Sequence, residues 1–158
     1  MIAPLQLHNY STTTLSYERL EAETPPEDVE PGIGLSFGVD AEFDDEEEVQ
    51  YIALNVRYNQ DEEVPEDLAP YIVHRGHVRV TGKLYWADEE VAAREDARRL
   101  LLTNGLSMLY GIARVRVADI TDDGEEDRLV LPSVNFLPVA EDWLSEDEDE
   151  SEPTESDE

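Results

Sequence analysis

The sequence has 158 residues, about the size of one domain, and its 40 acidic and 11 basic residues give a formal net charge of −29. The absence of cysteine excludes disulfides, thiol catalysis and thiolate metal sites. No apolar run approaches the roughly 20 residues of a membrane-spanning helix, and residues 1–10 lack the basic patch and apolar core of a secretory signal. We therefore expect a cytoplasmic protein without membrane insertion.

Four stretches with a two-residue alternation of apolar side chains predict the strands of an antiparallel sheet. The first is long and rich in Thr, Tyr and Leu, and its alternation changes phase midway, which predicts a bend or bulge. The connections are rich in proline, glycine and acidic residues, as is typical of turns and loops. The four predicted strands are residues 5–20, 32–43, 49–58 and 77–86.

Helical spacing replaces this alternation after the fourth strand. Asp88 is a candidate N-cap for a first helix that reaches Leu102, and Asn104–Gly105 predicts its end. A second helix follows from an apolar stripe at helical spacing, and the length of this stripe favours helix over strand at Val115–Val117. The stripe comprises Leu106, Leu109, Tyr110, Ala113, Val117 and Ile120. Residues 129–138, which contain two prolines, are predicted to be extended.

Strands followed by helices predict an α+β fold, with a four-stranded antiparallel sheet packed on two C-terminal helices. Residues 141–158 carry 11 acidic residues and no basic one. Such a composition cannot bury enough apolar surface to fold. We therefore predict a folded domain over residues 1–144 and a disordered acidic tail over residues 145–158.

The sequence shows no arrangement of residues that predicts catalysis or metal binding. Ser107 is one glycine short of a nucleophile elbow, and no histidine is paired with it. His74 and His77 are three residues apart, which points them to opposite faces of a strand unless Gly76 forms a bulge. Residues 119–130 begin like a calcium loop but end in Val130 instead of Glu, so we interpret Asp119–Gly124 as a helix end. No enzyme activity, metal or cofactor is expected.

Most of the basic residues in the strands fall on one polar face of the predicted sheet. Nucleic-acid binding requires a positive surface, and the acidity of the chain argues against it. We expect these residues to form cross-strand ion pairs with neighbouring Asp and Glu. They are Arg57, Arg75, Arg79 and Lys83.

Four sequence motifs occur in an order that resembles the SecB-like family of cytosolic export chaperones and their relatives, which include the chaperones of some toxin–antitoxin systems. The most specific feature is the Asn-Gly-Leu at residues 104–106, followed about 27 positions later by Pro-x-Val-Asn-Phe. The resemblance covers roughly residues 4–138. The motifs are Leu35–Asp40, Val78–Trp86, Asn104–Gly111 and Leu131–Phe136.

This resemblance implies a four-stranded sheet backed by two helices and assembled as a dimer of dimers. It also implies an ATP-independent holdase for unfolded polypeptides, such as preproteins awaiting export, with the SecA motor as a further partner. The alternative is a dedicated interaction protein, which is either a toxin–antitoxin chaperone or an acidic partner of one basic protein. A holdase for many clients would differ from a dedicated protein in the breadth of polypeptides that it protects.

A groove that holds many polypeptides needs exposed, adaptable apolar surface. Phe37, Val39 and Trp86 alternate like core residues, so a place in the core is the competing interpretation. Val134–Phe136 could instead anchor the last segment on the sheet, with Asn135 bonding to edge backbone groups. The candidate client-binding residues are Phe37, Val39, Tyr85, Trp86, Val134, Phe136 and Leu137.

The first strand is a candidate interface between copies of the chain. Residues 1–17 contain no Asp, Glu, Lys or Arg, which is unexpected in so acidic a chain unless something covers them. Exposed edge strands pair readily with other chains, so we predict a homodimer or homotetramer formed through residues 5–20. The candidate edge residues are Leu5, Leu7, Tyr10, Thr13, Leu15 and Tyr17.

The acidity extends beyond the C-terminal run, since the first 140 residues carry 29 acidic and 11 basic residues. One interpretation is adaptation to a salt-rich cytoplasm, where the Debye length falls to roughly 3 Å at 1 M salt. The other is an acidic surface that meets one basic partner. The spread of the acidic residues along the whole chain favours adaptation to salt.

We therefore expect the chain to unfold at a lower temperature in dilute buffer than in molar KCl, because unscreened repulsion between carboxylates destabilises the compact state. Thermal unfolding followed by circular dichroism at both salt concentrations measures this difference. Equal melting temperatures would contradict the adaptation to salt.

Overall fold

The structure is a computed structural model that describes residues 4–122 and 128–151. It confirms the predicted α+β fold, since four antiparallel strands form one sheet in the order β1-β4-β3-β2 and the long helix packs on one face of it. The elements are β1 (Leu5–Arg19), β2 (Leu35–Glu42), β3 (Gln50–Tyr58), a 3-10 turn (Ala69–Tyr71), β4 (His74–Trp86), α1 (Glu89–Ala92), α2 (Ala97–Thr121) and α3 (Leu137–Ser151).

The predicted irregularity of β1 is confirmed. Its pairing with β4 shifts register twice, once between Leu7 and Asn9 and once between Thr12 and Thr14. A residue inserted into one strand of a pair bends that strand and changes which side chains face the core. These bulges therefore explain the change of phase in the sequence.

The core lies between α2 and the two central strands. Alternate residues of β3 and β4 point toward α2 and are inaccessible to solvent. The half-buried apolar residues of β2, from Leu35 to Ala41, extend this layer to the sheet edge. The predicted alternation is thus confirmed. The apolar strand residues with no exposed surface are Ile52, Ala53, Leu54, Val56, Tyr58, Val78, Val80 and Leu84.

Helix α2 is continuous over 25 residues, so the predicted break at Asn104–Gly105 is wrong. The glycine serves close packing instead. A β-carbon at Gly105 would lie 2.8 Å from Ile52 Cδ1 and 3.2 Å from Leu84 Cδ2. The absence of a side chain therefore brings the helix backbone close to the sheet. No helix in the described part of the chain is long and apolar enough to cross a membrane.

The predicted first helix is divided in two. Asp88 is its N-cap as expected, since its carboxylate accepts a hydrogen bond from the Glu90 backbone at 2.9 Å. The helical segment α1 ends after four residues, and Arg94 pairs with Asp96 at 2.9 Å where the chain leaves the helix. Because Asp96 precedes α2 and binds Arg94, these residues separate the two helices.

The second long helix is α3, and it begins at Leu137, inside the segment predicted to be extended. Pro138 fits its first turn, where a helix needs no N–H donor. The helix continues to Ser151, so residues 145–151 are helical although their acidic composition assigns them to the predicted tail. The side chains of residues 145–150 are exposed, and residues 152–158 lie outside the described ranges. Glu is a good helix former, which lets the helix continue beyond its packed first turns.

Asn59 fixes the end of the sheet where the chain crosses from β1 to β2. Its side-chain oxygen accepts a hydrogen bond from the Gly34 backbone at 2.9 Å, and its amide donates to the His74 carbonyl at 2.9 Å. Its φ of 55° lies in the left-handed region, which Asn tolerates better than most residues. Asn59 therefore joins the ends of β2, β3 and β4.

Two glycines of α2 provide a matched test of the helix–sheet contact. We expect Gly105→Leu to lower the free energy of unfolding by about 2 kcal/mol or more, because the new side chain would overpack the core. Gly111→Leu is the control, because nothing lies within 4 Å of a β-carbon there and leucine is the better helix former. Chemical denaturation in molar KCl measures both, and equal losses at the two positions would contradict the packing described here.

Candidate functional site

The candidate client-binding residues Phe37 and Phe136 belong to an aromatic cluster in the core. Together with Tyr110 they pack edge to face, with ring centroids 5.2–5.7 Å apart. Phe136 is only 1% exposed, whereas Phe37 is half-buried at the edge of the core. Phe136 is therefore a structural anchor rather than part of an accessible surface.

Hydrogen bonds from α2 hold the segment before α3 in place. The Tyr110 hydroxyl donates to the Pro132 carbonyl at 2.6 Å, and Arg114 Nε donates to the Leu131 carbonyl at 2.9 Å. Asn135 accepts from the Leu137 backbone at 3.1 Å, so it bonds at the start of α3 and not at a sheet edge. The expectation that this segment is an anchor fits these contacts.

The remaining residues of the predicted set are accessible to different degrees. Val39 on β2 and Val134 before α3 are half-buried against the core, and Leu137 is 38% exposed at the first residue of α3. Tyr85 and Trp86, at the end of β4, are half-buried and lie at the far end of the sheet from the β1–β2 crossing. The predicted set thus does not form one continuous surface.

Tyr85 and Trp86 line a cavity, which we call the sheet-end cavity. It has a volume of about 640 Å³ and lies between the β2–β3 turn, the end of β4 and the first turns of α1 and α2. Leu101 and Ala97 are buried at its base, and Phe43 and Trp86 add aromatic surface. Its acidic lining residues are exposed: Asp45, Glu46, Glu47, Glu48 and Glu89.

Arg98 is the basic residue that lines the sheet-end cavity. Its guanidinium is 3.1 Å from the Asp45 carboxylate and lies over the Phe43 ring, 5.3 Å from the centroid. The ring of Trp143 on α3 packs against the same phenylalanine at 5.9 Å. Arg98 thus connects the β2–β3 turn to α2, and it covers part of the apolar surface.

The turn that carries the acidic rim is held by Gln50. The Gln50 side chain donates to the carbonyls of Asp44 and Glu47 and accepts from the Asp44 backbone, at 2.7–2.9 Å. The Asp44 carboxylate accepts from the Glu46 backbone at 2.9 Å. Residues 44–48 therefore form the turn of the β2–β3 hairpin, and the carboxylates of residues 45–48 are exposed.

Sequence reasoning missed Phe43, Arg98 and Leu101 as parts of a shared site. Phe43 was predicted only as the last apolar residue of the second strand, and the other two only as parts of a helix. The three residues come together because the hairpin returns the chain to the start of α2. In the sequence, the run of acidic residues directly after Phe43 indicates the turn of this hairpin.

Strand β1 is an edge of the sheet, as the order of the strands shows. Tyr10 and Leu15 are 51% and 43% exposed there. Leu5, at 5% exposed, and Leu7, which is partly buried, pack in the core instead. Of the remaining candidate edge residues, Thr13 lies at the second bulge of β1, and the Tyr17 hydroxyl is 2.7 Å from His74 Nδ1.

The two histidines of β4 lie on opposite faces of the sheet, as their spacing predicts. His74 is buried on the α2 side beside Tyr17, and His77 lies on the other face, with Nε2 3.1 Å from the Asn55 side-chain oxygen. Nearby, burial and then Tyr17 raise the pKa of the Tyr58 hydroxyl to about 12, so this phenol stays neutral. In the described ranges no group of three His, Cys, Asp or Glu is placed to hold a metal ion.

Ser107 lies on an exposed face of α2, where its hydroxyl donates to the Thr103 carbonyl at 2.9 Å. This bond runs back along the helix, as is common for serine. Helix α2 ends at Thr121, within the predicted helix end Asp119–Gly124. Gly124 itself lies outside the described residues.

Cross-strand ion pairs on the polar face of the sheet are confirmed for two of the four basic residues. Arg79 lies 3.0 Å from Asp40 on β2, and Arg75 lies 2.7 Å from Asp61 and 4.0 Å from Glu18. The three carboxylates come from β1, from β2 and from the loop after β3.

Neither a family model nor a curated protein matches this sequence. The chain is similar to the solved structure of a SecB-like chaperone from Mycobacterium tuberculosis, in complex with a ChAD peptide from the HigA1 antitoxin. The TM-score is 0.56 and the sequences are 16% identical, over 83% of this chain and 91% of that chain. At this level of identity the similarity shows the fold. The four-stranded sheet and its helices are thus arranged as in a SecB-like chaperone.

Proposed function

We propose that this chain is a cytoplasmic, ATP-independent chaperone that holds unfolded polypeptides and catalyses no reaction. The observation that carries the proposal is the similarity in fold to a SecB-like chaperone whose structure contains a bound peptide. The similarity extends over 83% of this chain and 91% of that chain.

The sheet-end cavity is the proposed client-binding site. Phe43 and Trp86 offer partly exposed aromatic surface above the buried Leu101, and a client stabilises the complex by about 25 cal/mol per Å² of apolar surface that it buries there. The acidic rim keeps the opening hydrated and repels anionic segments. The client stretch is therefore apolar and free of acidic residues.

Two ranges of clients fit this proposal. One is a broad pool of preproteins that the chaperone delivers for export to the SecA motor. The other is a single dedicated partner, such as an antitoxin, and the antitoxin peptide in the similar structure favours this second range. A basic partner of this kind would also be attracted by the negative charge of the chain.

We expect the chain to suppress the aggregation of several unrelated denatured proteins at stoichiometric amounts and without ATP. Trp86→Ala removes the larger aromatic ring of the sheet-end cavity and should raise the amount of chaperone needed about threefold or more, since a lost buried aromatic contact is worth roughly 1 kcal/mol. Light scattering during aggregation in molar KCl measures the effect.

The matched control is Val130→Ala, which shortens an apolar side chain that is 58% exposed and does not line the cavity. Circular dichroism establishes that each variant is folded. Protection of one partner alone would reduce the proposal to a dedicated chaperone. Equal activity of Trp86→Ala and Val130→Ala would place client binding elsewhere on the chain.

We further propose that the chain assembles through the free edge of β1 into a dimer or tetramer. Exposed Tyr10 and Leu15 lie beside backbone groups that β4 does not pair, and a second copy of β1 would satisfy those groups and cover both side chains. The lack of charged residues in residues 1–17 removes the repulsion that the rest of the chain would impose.

Leu15→Glu should convert the assembly to monomers, because it places one carboxylate from each copy at the shared edge. Val130→Glu adds the same charge at another exposed apolar position and should leave the assembly intact. Multi-angle light scattering in molar KCl gives the mass of each species. A wild-type chain that is monomeric at tens of micromolar would overturn this model of assembly.

A further inference from the structure

The face of the sheet opposite α2 carries a group of basic side chains, which we call the basic stripe. Successive residues of β4 alternate between the buried face and this outer face. Arg57 on β3 joins them because it is the register partner of His77. The basic stripe consists of Arg57, Arg75, His77, Arg79 and Lys83.

The outer face of the sheet is much less acidic than the whole chain, which carries −29, although the loop after β3 brings Asp61 to Arg75 and Glu63 to Ser36 at one end of it. Its strands place four side chains of Arg and Lys there, against three carboxylates. The carboxylates, Glu18, Asp40 and Glu42, lie on the two edge strands β1 and β2. The positive charge is thus concentrated along the centre of the sheet, where β3 and β4 pair.

Two of these cations have no carboxylate partner. Arg75 and Arg79 are engaged by Asp61 and Asp40. By contrast, no carboxylate oxygen of the described residues comes within 4.0 Å of the charged groups of Arg57 or Lys83. Both side chains are exposed, so they are accessible to a carboxylate of another polypeptide.

His77 lies in the middle of the basic stripe, beside Arg57 on β3. Partial burial is the main cause that lowers the pKa of its imidazole, and the neighbouring Arg57 and Arg79 lower it further. The groups that face it are Arg57 and Asn55 from β3, Ser16 from β1, and Arg75 and Arg79 from its own strand. From β1, the carboxylate at this end of the basic stripe is that of Glu18, which is the partner of Arg75.

We propose that the basic stripe docks an extended acidic segment of another polypeptide. The cations of β4 recur every fourth residue, which is roughly 13 Å at the rise of a strand. An extended peptide has the same rise per residue. The carboxylates on one of its faces can therefore contact Arg79 and Lys83 on β4, and Arg57 on the neighbouring strand β3 contributes a third cation. Hydroxyl and amide groups between the cations supply further hydrogen bonds, for example those of Ser11, Thr14, Asn55 and Thr81.

The charges around the basic stripe favour a single peptide over a nucleic acid. Binding of a duplex depends on neutralising many phosphates, and among the described residues the basic stripe has two cations without a carboxylate within 4.0 Å. The acidic segments 44–48 and 61–67 lie at opposite ends of β3 and would repel a longer polyanion that ran past the sheet. This docking goes beyond the chaperone function proposed above and does not depend on it. No residue of the basic stripe lines the sheet-end cavity.

The test is isothermal titration calorimetry of the full chain with a dodecapeptide of alternating Glu and Ser, at the lowest KCl concentration at which circular dichroism shows the chain to be folded, because molar salt screens exposed ion pairs. We expect saturable binding that weakens about tenfold in the double variant R57S/K83S, because exposed ion pairs contribute up to about 1 kcal/mol each. The matched control is R116S/R128S, which removes two exposed arginines outside the sheet and leaves the outer face unchanged. Thermal unfolding establishes that both variants are folded.

Four outcomes would overturn the proposal. The first is the absence of saturable binding below a millimolar concentration of peptide, and the second is an equal affinity of the two double variants. The third is a dodecamer of deoxythymidine that binds the wild-type chain at least as tightly as the peptide, which would assign the stripe to nucleic acid. The fourth is a lower oligomeric mass of R57S/K83S in light scattering, which would make the outer face a contact between copies.

Discussion

The packing of α2 against β3 and β4 is the contact on which the rest of the structure depends. The charge of −29 opposes compaction, so the apolar contact has to outweigh it as well as the loss of chain entropy. The two central strands bury one face completely, and Gly105 lets the helix backbone approach Ile52 and Leu84 closely. The position of α2 in turn fixes Tyr110 and Arg114, which hold the segment before α3, and Arg98, which borders the sheet-end cavity.

The strands could be predicted closely from the sequence because alternation reports directly on burial at one face of a sheet. The bulges of β1 were visible for the same reason, as a change of phase. The helices were harder, since Asn104–Gly105 has the composition of a helix end. Whether a glycine ends a helix or permits close packing depends on what lies opposite it, and Ile52 is distant in sequence.

The candidate site was only partly predictable. Tyr85 and Trp86 were identified by their position at the end of a strand, whereas Phe136 was chosen for its aromatic side chain and lies in the core at 1% exposure. Local sequence does not distinguish an aromatic anchor from an aromatic binding residue. The distinction depends on contacts such as those with Phe37 and Tyr110, which join segments about 100 and 26 residues apart.

Acidic and basic residues occupy different parts of the structure, although both are spread along the sequence. Carboxylates dominate the turns, where most of the side chains reach water, and Asp88 caps α1. Four of the 11 basic residues lie on the outer face of the central strands, Arg57 on β3 and Arg75, Arg79 and Lys83 on β4. This arrangement leaves the outer face as a surface that another acidic protein can approach without strong repulsion.

The contacts of Arg98 determine how readily the sheet-end cavity admits another side chain. Its ion pair with Asp45 joins side chains that are 49% and 90% exposed, and such pairs are worth about 0–1 kcal/mol. Its position over Phe43 adds about 0.5–1 kcal/mol at an exposed site. Burying one large apolar side chain yields roughly 1.5–3 kcal/mol, which is comparable to or larger than the sum of these two contacts. An incoming apolar side chain therefore displaces Arg98 at a cost that its own burial offsets, and the guanidinium remains close enough to pair with the other carboxylates of the rim.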